Sequence, residues 1–203
     1  MNALIIVDMQ NDFVQGGTLP VSGGEELAPI INAYQAMFGL VVATQDWHPA
    51  NHGSFAANHQ GRKPGEVIDL DGSPQVLWPV HCLQNTPGAD FVPGLNRDKW
   101  AATFQKGIDP EVDSYSGFFD NGRRRSTGLN DFLRKQNVTA VYIAGLATDY
   151  CVKYTVLDAK ALGFSTVLID DACRGVELHA GDVAKAIDQM TAAGVSVRHG
   201  FQL

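Results

Sequence analysis

Residues 139–151 read Thr139-Ala140-Val141-Tyr142-Ile143-Ala144-Gly145-Leu146-Ala147-Thr148-Asp149-Tyr150-Cys151. The first six form a nearly continuous apolar run, the pattern of a strand covered on both faces. Gly145 breaks the run, and from Asp149 a helical pattern extends to Leu162, with Gly163 where a C′ glycine belongs. A buried strand turning directly into a helix is the repeating unit of a parallel α/β sheet.

The chain repeats that unit in both directions. Ala3–Val7, Leu40–Thr44, Ser165–Ile169 and Val195–Arg198 are comparable strands, and Ala101–Gln105 is a weaker one. Between them lie three more helical patterns. Glu25–Phe38 places Leu27, Ile30, Ile31, Tyr34 and Phe38 at spacings of three and four. Ser126–Gln136 opens on a cap-like serine, with Leu129, Phe132 and Leu133 on one face. His179–Ala193 runs up to Gly194. With right-handed crossovers, this alternation predicts a three-layer α/β/α sandwich on a mostly parallel, roughly six-stranded sheet. One stretch, Asp46 to about Lys99, is irregular, but it holds four of the six histidines, so function is a better reading than disorder.

Bulk properties narrow the function. The chain has 203 residues, 45% hydrophobic and 18% charged, which suits one domain over 1–203 that needs no disulfide staple to fold. Fifteen basic against 22 acidic residues give a net charge of −7, which argues against nucleic acid or a membrane surface as partner. Three cysteines cannot all pair, as expected in a reducing compartment. Met1–Asp8 carries no basic region and too short an apolar run for a signal segment, so a cytoplasmic location is expected.

In a parallel sheet, ligands bind beyond the carboxyl ends of the strands. The residues that end these strands are therefore the candidates. Asp8 ends the first, Asp46-Trp47-His48 follows the second, Lys106 ends the third, and Cys151 lies in the turn after the fourth. Each alone has a bland reading, a loop cap or a small buried hydrophobe. Together they are an acid, an ammonium and a thiol on one edge. Cys151 in the first turn of a helix, beside Lys106, is expected to have a lowered pKa. Asp8 can take its proton, and the amides of the 145–151 turn are candidate oxyanion donors, a set suited to acyl transfer. Cys82 and Cys173 lack this setting and read as packing residues. Asp46 and His48, two apart in an extended segment, face the same way and could hold a metal ion with a third ligand. Spacing favours a surface position for His59 and does not choose between His52 and His81.

The motifs Val7-Asp8-Met9-Gln10-Asn11-Asp12-Phe13, Asp46-Trp47-His48-Pro49, Trp78-Pro79-Val80-His81-Cys82, Gln105-Lys106-Gly107, Tyr115-Ser116-Gly117-Phe118 and Gly145–Cys151 resemble those of the nicotinamidase family in the isochorismatase-like cysteine hydrolase superfamily. The resemblance spans nearly the whole chain. It implies hydrolysis of nicotinamide, and of pyrazinamide, to the acid and ammonia. It implies Asp8, Lys106 and Cys151 as catalytic residues, and Ala147 and Cys151 as oxyanion donors beside a cis Leu146–Ala147 peptide. Asp46, His48 and His81 are implied as ligands of one divalent ion, zinc or iron with manganese also compatible, and Phe13, Trp78 and Tyr115 as walls for the ring. His52 reads as a residue just outside the metal ligands or in the surrounding loop. A small-molecule substrate and a monomer or homodimer complete the expectation. The rivals are a related amidase acting on a carbamoyl or ureido substrate, against which the metal-ligand set speaks, and a non-catalytic binding module, against which the thiol, acid and ammonium speak. Arg123-Arg124-Arg125 reads as a solvated loop, and Gly16-Gly17 and Gly23-Gly24 as turns.

Overall fold

Strand β1 (Asn2–Val7) is buried from Ala3 onward, and its side chains divide between two cores. Ala3, Ile5 and Val7 join one core, Leu4 and Ile6 the other. Successive strand residues point to opposite faces, so a strand with apolar cover on both sides must be apolar throughout. This is the arrangement in the computed structural model of the chain, which describes residues 1–200.

The other elements are β2 (Val41–Asp46), β3 (Val67–Leu70), β4 (Ser73–Val76), β5 (Trp100–Lys106), β6 (Ala140–Leu146), β7 (Ser165–Arg174) and β8 (Ser196–Arg198), with helices α1 (Leu27–Gln35), α2 (Leu129–Lys135), α3 (Lys153–Ala161) and α4 (Asp182–Ala192). The main sheet runs in the order β5-β2-β1-β6-β7-β8, and every pairing in it is parallel. Leu27, Ile31 and Tyr34 of α1 cover one face. Leu129 and Leu133 of α2, Val156 of α3 and Met190 of α4 cover the other. The expected three-layer sandwich is therefore present. The weak apolar pattern of β5 has a physical reason: it is an edge strand, with Ala101, Thr103 and Gln105 exposed.

Several local expectations are corrected. The helix expected from Ser126 begins at Leu129, because Gly128 is left-handed at φ 89°. The Ser126 and Thr127 hydroxyls instead accept the N–H groups of Gly128 and Leu129, at 3.0 and 3.2 Å. Cys151 does not lie in an ordinary first turn but in a π-helical turn, Thr148–Val152, that leads into α3. The irregular stretch contains a β3–β4 hairpin closed by Asp71-Gly72, both at positive φ (51° and 83°), the turn chemistry that a two-residue hairpin prefers. No helix among the described residues is long and apolar enough to cross a membrane.

The topology places the site. From β1 the chain steps to β2 and then β5 on one side, whereas β6 lies on the other, so a crevice opens between the carboxyl ends of β1 and β6. Asp8 follows β1, and the turn to Cys151 follows β6. The two strands approach closely at Gly145, where a Cβ would lie 2.1 Å from the Val7 carbonyl oxygen.

Candidate active site

Asp8, Lys106 and Cys151 come together at this crevice. The fully buried Lys106 ammonium lies 2.9 Å from Asp8 Oδ2, donates to the Ser114 carbonyl at 2.8 Å, and lies 3.3 Å from Cys151 Sγ. It also pairs tightly with Asp46 Oδ1. The Thr44 hydroxyl donates to Asp8 Oδ1 at 2.6 Å. Acceptor atoms of Asp8, Asp46 and Cys151 lie within 4.8 Å of one another.

Burial sets the electrostatics. It raises the Asp8 carboxyl, the Lys106 ammonium pulls it partly back, and the result is about 6. Burial also opposes charge on Asp46, but Lys106 and His48 outweigh it and hold this group well below the usual carboxylate range. Burial works against the Lys106 charge too, yet Asp46 and Asp8 keep the ammonium protonated well above its ordinary range. For Cys151 the expectation of a lowered pKa is reversed. Burial drives the thiol well above its usual value, and the opposing effect of Lys106 does not recover it against Asp8 and Asp46. The resting group is a thiol beside a base, not a free-standing thiolate.

Asp46, His48 and His81 form a second cluster, joined to the first through the Asp46–Lys106 pair. Asp46 Oδ2 lies 3.6 Å from His48 Nε2 and 3.9 Å from His81 Nε2. His48 Nδ1 meets the Gly107 carbonyl and His81 Nδ1 the Pro79 carbonyl, both at 2.8 Å. A carbonyl only accepts, so each Nδ1 carries a proton and each ring turns its Nε2 toward Asp46. Burial opposes charge on His48, but Asp46 outweighs it and raises its pKa. Burial and the neighbouring His48 lower His81 to about 4, which keeps it neutral. One carboxylate and two oriented imidazoles, all buried, fit a divalent ion of borderline softness.

His52 is not a bystander in the loop. It is fully buried, its ring centroid is 4.2 Å from that of His48, and its Nε2 has no hydrogen-bond partner among the described residues. Burial lowers it to about 4. His59 stands apart, with Nε2 on the Gly53 carbonyl at 2.7 Å. Cys82 and Cys173 are packed in the two cores as expected. Arg123, Arg124 and Arg125 are exposed and pair with Asp158, Asp71 and Asp109.

Phe13, Trp78 and Tyr115 all line one cleft, together with Cys151, Ala147, Asp46 and His81. The Trp78 indole donates to the Tyr115 hydroxyl at 3.2 Å, which locks the two walls together. The Leu146–Ala147 peptide at its rim is cis. Sequence reasoning missed Tyr150, Leu19, Val176 and Asp113 in the lining, and Thr44 and Gln10 behind it. Only Thr44 carried a signal, since strand periodicity puts it on the opposite face from Gln45 and on the same face as Asp46.

A thiol backed by a buried acid and ammonium lines one cleft with a carboxylate and an imidazole, at the switch point of a parallel sheet, an arrangement suited to an α/β hydrolase. Residues 2–199 match the model of the Isochorismatase domain, and the chain belongs to that family. It is 50% identical to the nicotinamidase of Escherichia coli over 199 residues, covering 96% of this chain and 93% of that one. Its fold matches a nicotinamidase/pyrazinamidase structure from Acinetobacter baumanii with a TM-score of 0.95 at 44% identity, covering 98% and 95% of the two chains. It matches the pyrazinamidase of Pyrococcus horikoshii in complex with zinc with a TM-score of 0.80 at 40% identity, covering 98% of each chain.

Proposed function

We propose that this protein is a metal-dependent amidohydrolase that converts nicotinamide to nicotinate and ammonia, and accepts pyrazinamide. The observation that carries the proposal is the Lys106 ammonium, which joins the Asp8–Cys151 pair to the Asp46 cluster on the wall of one aromatic cleft. The likeness to nicotinamidases over nearly the whole chain supports the substrate.

In this reading Asp8 takes the Cys151 proton as the sulfur attacks the carboxamide carbon, so the thiolate exists only as it is used. The amides of Ala147 and Cys151 receive the developing oxyanion. Asp8 then gives its proton to the departing nitrogen, ammonia leaves, and a thioester remains on Cys151. Water deprotonated by Asp8 hydrolyses the thioester, the acid is released, and Asp8 returns the proton to the Cys151 sulfur. Lys106 keeps Asp8 anionic between turnovers. Phe13, Trp78 and Tyr115 hold the ring flat against the thiol.

Asp46, His48 and His81 would hold a divalent ion, zinc or iron, with the buried and unpartnered His52 Nε2 beside them. Bound there, the ion supplies a Lewis acid for the ring nitrogen, which orients and polarises the substrate. One domain spanning 1–203 and a cytoplasmic location complete the reading. The six-stranded sheet that runs from β1 to β8 supports the first, and three unpaired cysteines support a reducing compartment.

The test is ammonia release from nicotinamide before and after chelation, with elemental analysis of the protein. Activity is expected to fall on chelation and to return with one metal. Full turnover by metal-free protein would overturn the metal dependence, and no turnover of any carboxamide by metal-loaded protein would overturn the activity.

A further inference from the structure

One buried carboxylate in the cleft has no part in the chemistry above. Asp113 is 3% exposed and sits between β5 and α2. Its Oδ1 accepts the Ser114 N–H at 2.7 Å, and its Oδ2 accepts from Gln75 Nε2 at 2.9 Å. A carboxylate oxygen of Asp113 also lies within 4.8 Å of ring nitrogens of His48 and His52. His52 brings to this spot a fully buried Nε2 that nothing else engages.

The charge count shows what is missing without Asp113. The Asp46 carboxylate is already paired with Lys106, which also faces Asp8. A dication held by Asp46 and neutral imidazoles would therefore bring a net positive charge into a buried site, which is costly unless it is compensated. In their ionised forms Asp8, Asp46 and Asp113 outnumber the one ammonium by two charges, the amount a divalent ion cancels.

We infer that Asp113 is a further residue of the metal site: its carboxylate balances the charge of the bound dication across His48 and His52, and so sets the affinity of the site. The inference rests on the metal centre proposed above. The Gln75 and Ser114 hydrogen bonds fix where that charge sits, as partners outside a coordination sphere commonly do.

The test equilibrates the full-length, zinc-loaded protein with graded concentrations of a chelator and measures retained zinc by elemental analysis. Asp113→Asn is expected to weaken zinc retention by about tenfold to hundredfold. Gln75→Leu loosens the anchor but keeps the charge, and is expected to weaken zinc retention less than Asp113→Asn does. Asp113→Glu against Asp113→Gln repeats the comparison at a second side-chain length, should the Asn variant not fold. A retention curve for Asp113→Asn that overlays the unaltered protein would overturn the inference while leaving the metal centre standing. So would a Gln75→Leu variant that loses as much zinc, since Asp113 would then matter as an anchor and not as a charge. If the unaltered protein retains no zinc, iron or manganese at all, the metal centre itself is wrong and the inference falls with it.

Discussion

Gln10 grips Asp46 by the backbone: its Nε2 donates to the Asp46 carbonyl and its Oε1 accepts the Asp46 N–H, both at 2.8 Å. This pair of bonds ties the loop after β1 to the end of β2, so the residue that meets both Lys106 and the imidazoles is fixed from two strands. Gln10 is completely buried, so loss of its amide leaves polar backbone groups unpaired. Gln10→Leu is expected to lower stability by about 1–3 kcal/mol, measured by urea unfolding. It should also raise the KM for nicotinamide more than it lowers kcat, because Asp46 is misplaced while Asp8 and Cys151 are not. A kcat loss at unchanged KM would count against this.

The acidic limb of the pH profile should belong to Asp8. As a base it must be ionised, and burial holds its pKa at about 6. The carboxylate fraction, and with it kcat/KM, should fall roughly tenfold per pH unit below that value. The Thr44 hydrogen bond lowers the Asp8 pKa by stabilising the anion. Thr44→Val should therefore move the limb to higher pH. A limb that stays in place in the variant would assign it to another group.

Removal of the Lys106 charge should damage stability as well as catalysis. Lys106→Met leaves Asp8 and Asp46 buried with no countercharge. Breaking a buried ion pair from one side costs about 3–5 kcal/mol, visible as a lower urea midpoint at pH 8. That loss should shrink toward pH 5, where Asp8 accepts a proton and one uncompensated charge disappears. By contrast, Cys151→Ala should keep its stability and its metal and lose ammonia release altogether.

How far the sequence could be read depends on whether a feature is local. The continuous apolar runs of β1 and β6 announce strands covered twice, and the strand-end rule then picks out Asp8, Asp46, Lys106 and Cys151 with no knowledge of the loops between. Asp71-Gly72 is an equally local signal, but the irregular stretch around it hides the two strands it joins. The Cys151 pKa is illegible for the opposite reason. Helix position and a nearby lysine can be read from spacing, whereas complete burial and the opposing charges of Asp8 and Asp46 belong to the folded molecule. His52 and Asp113 meet only because the segment before β3 and the segment after β5 converge. No spacing rule connects residues that far apart in the chain.

Gly107 offers a test of the metal cluster that touches none of its side chains. It adopts φ 65°, its carbonyl orients His48, and a Cβ on it would lie 2.3 Å from His48 Cε1. Two independent constraints therefore demand glycine, the left-handed backbone and the absence of room beside the imidazole. In Gly107→Ala either the ring or the backbone must move, and both movements turn the His48 Nε2 away from Asp46. Zinc content should fall well below one ion per chain, and ammonia release should fall in proportion. The reactivity of Cys151 toward a thiol reagent should persist, because the turn after β6 that carries it is not held by Gly107 or His48. Zinc bound at full occupancy in this variant would mean that His48 is held by something other than Gly107, or that it is not a ligand.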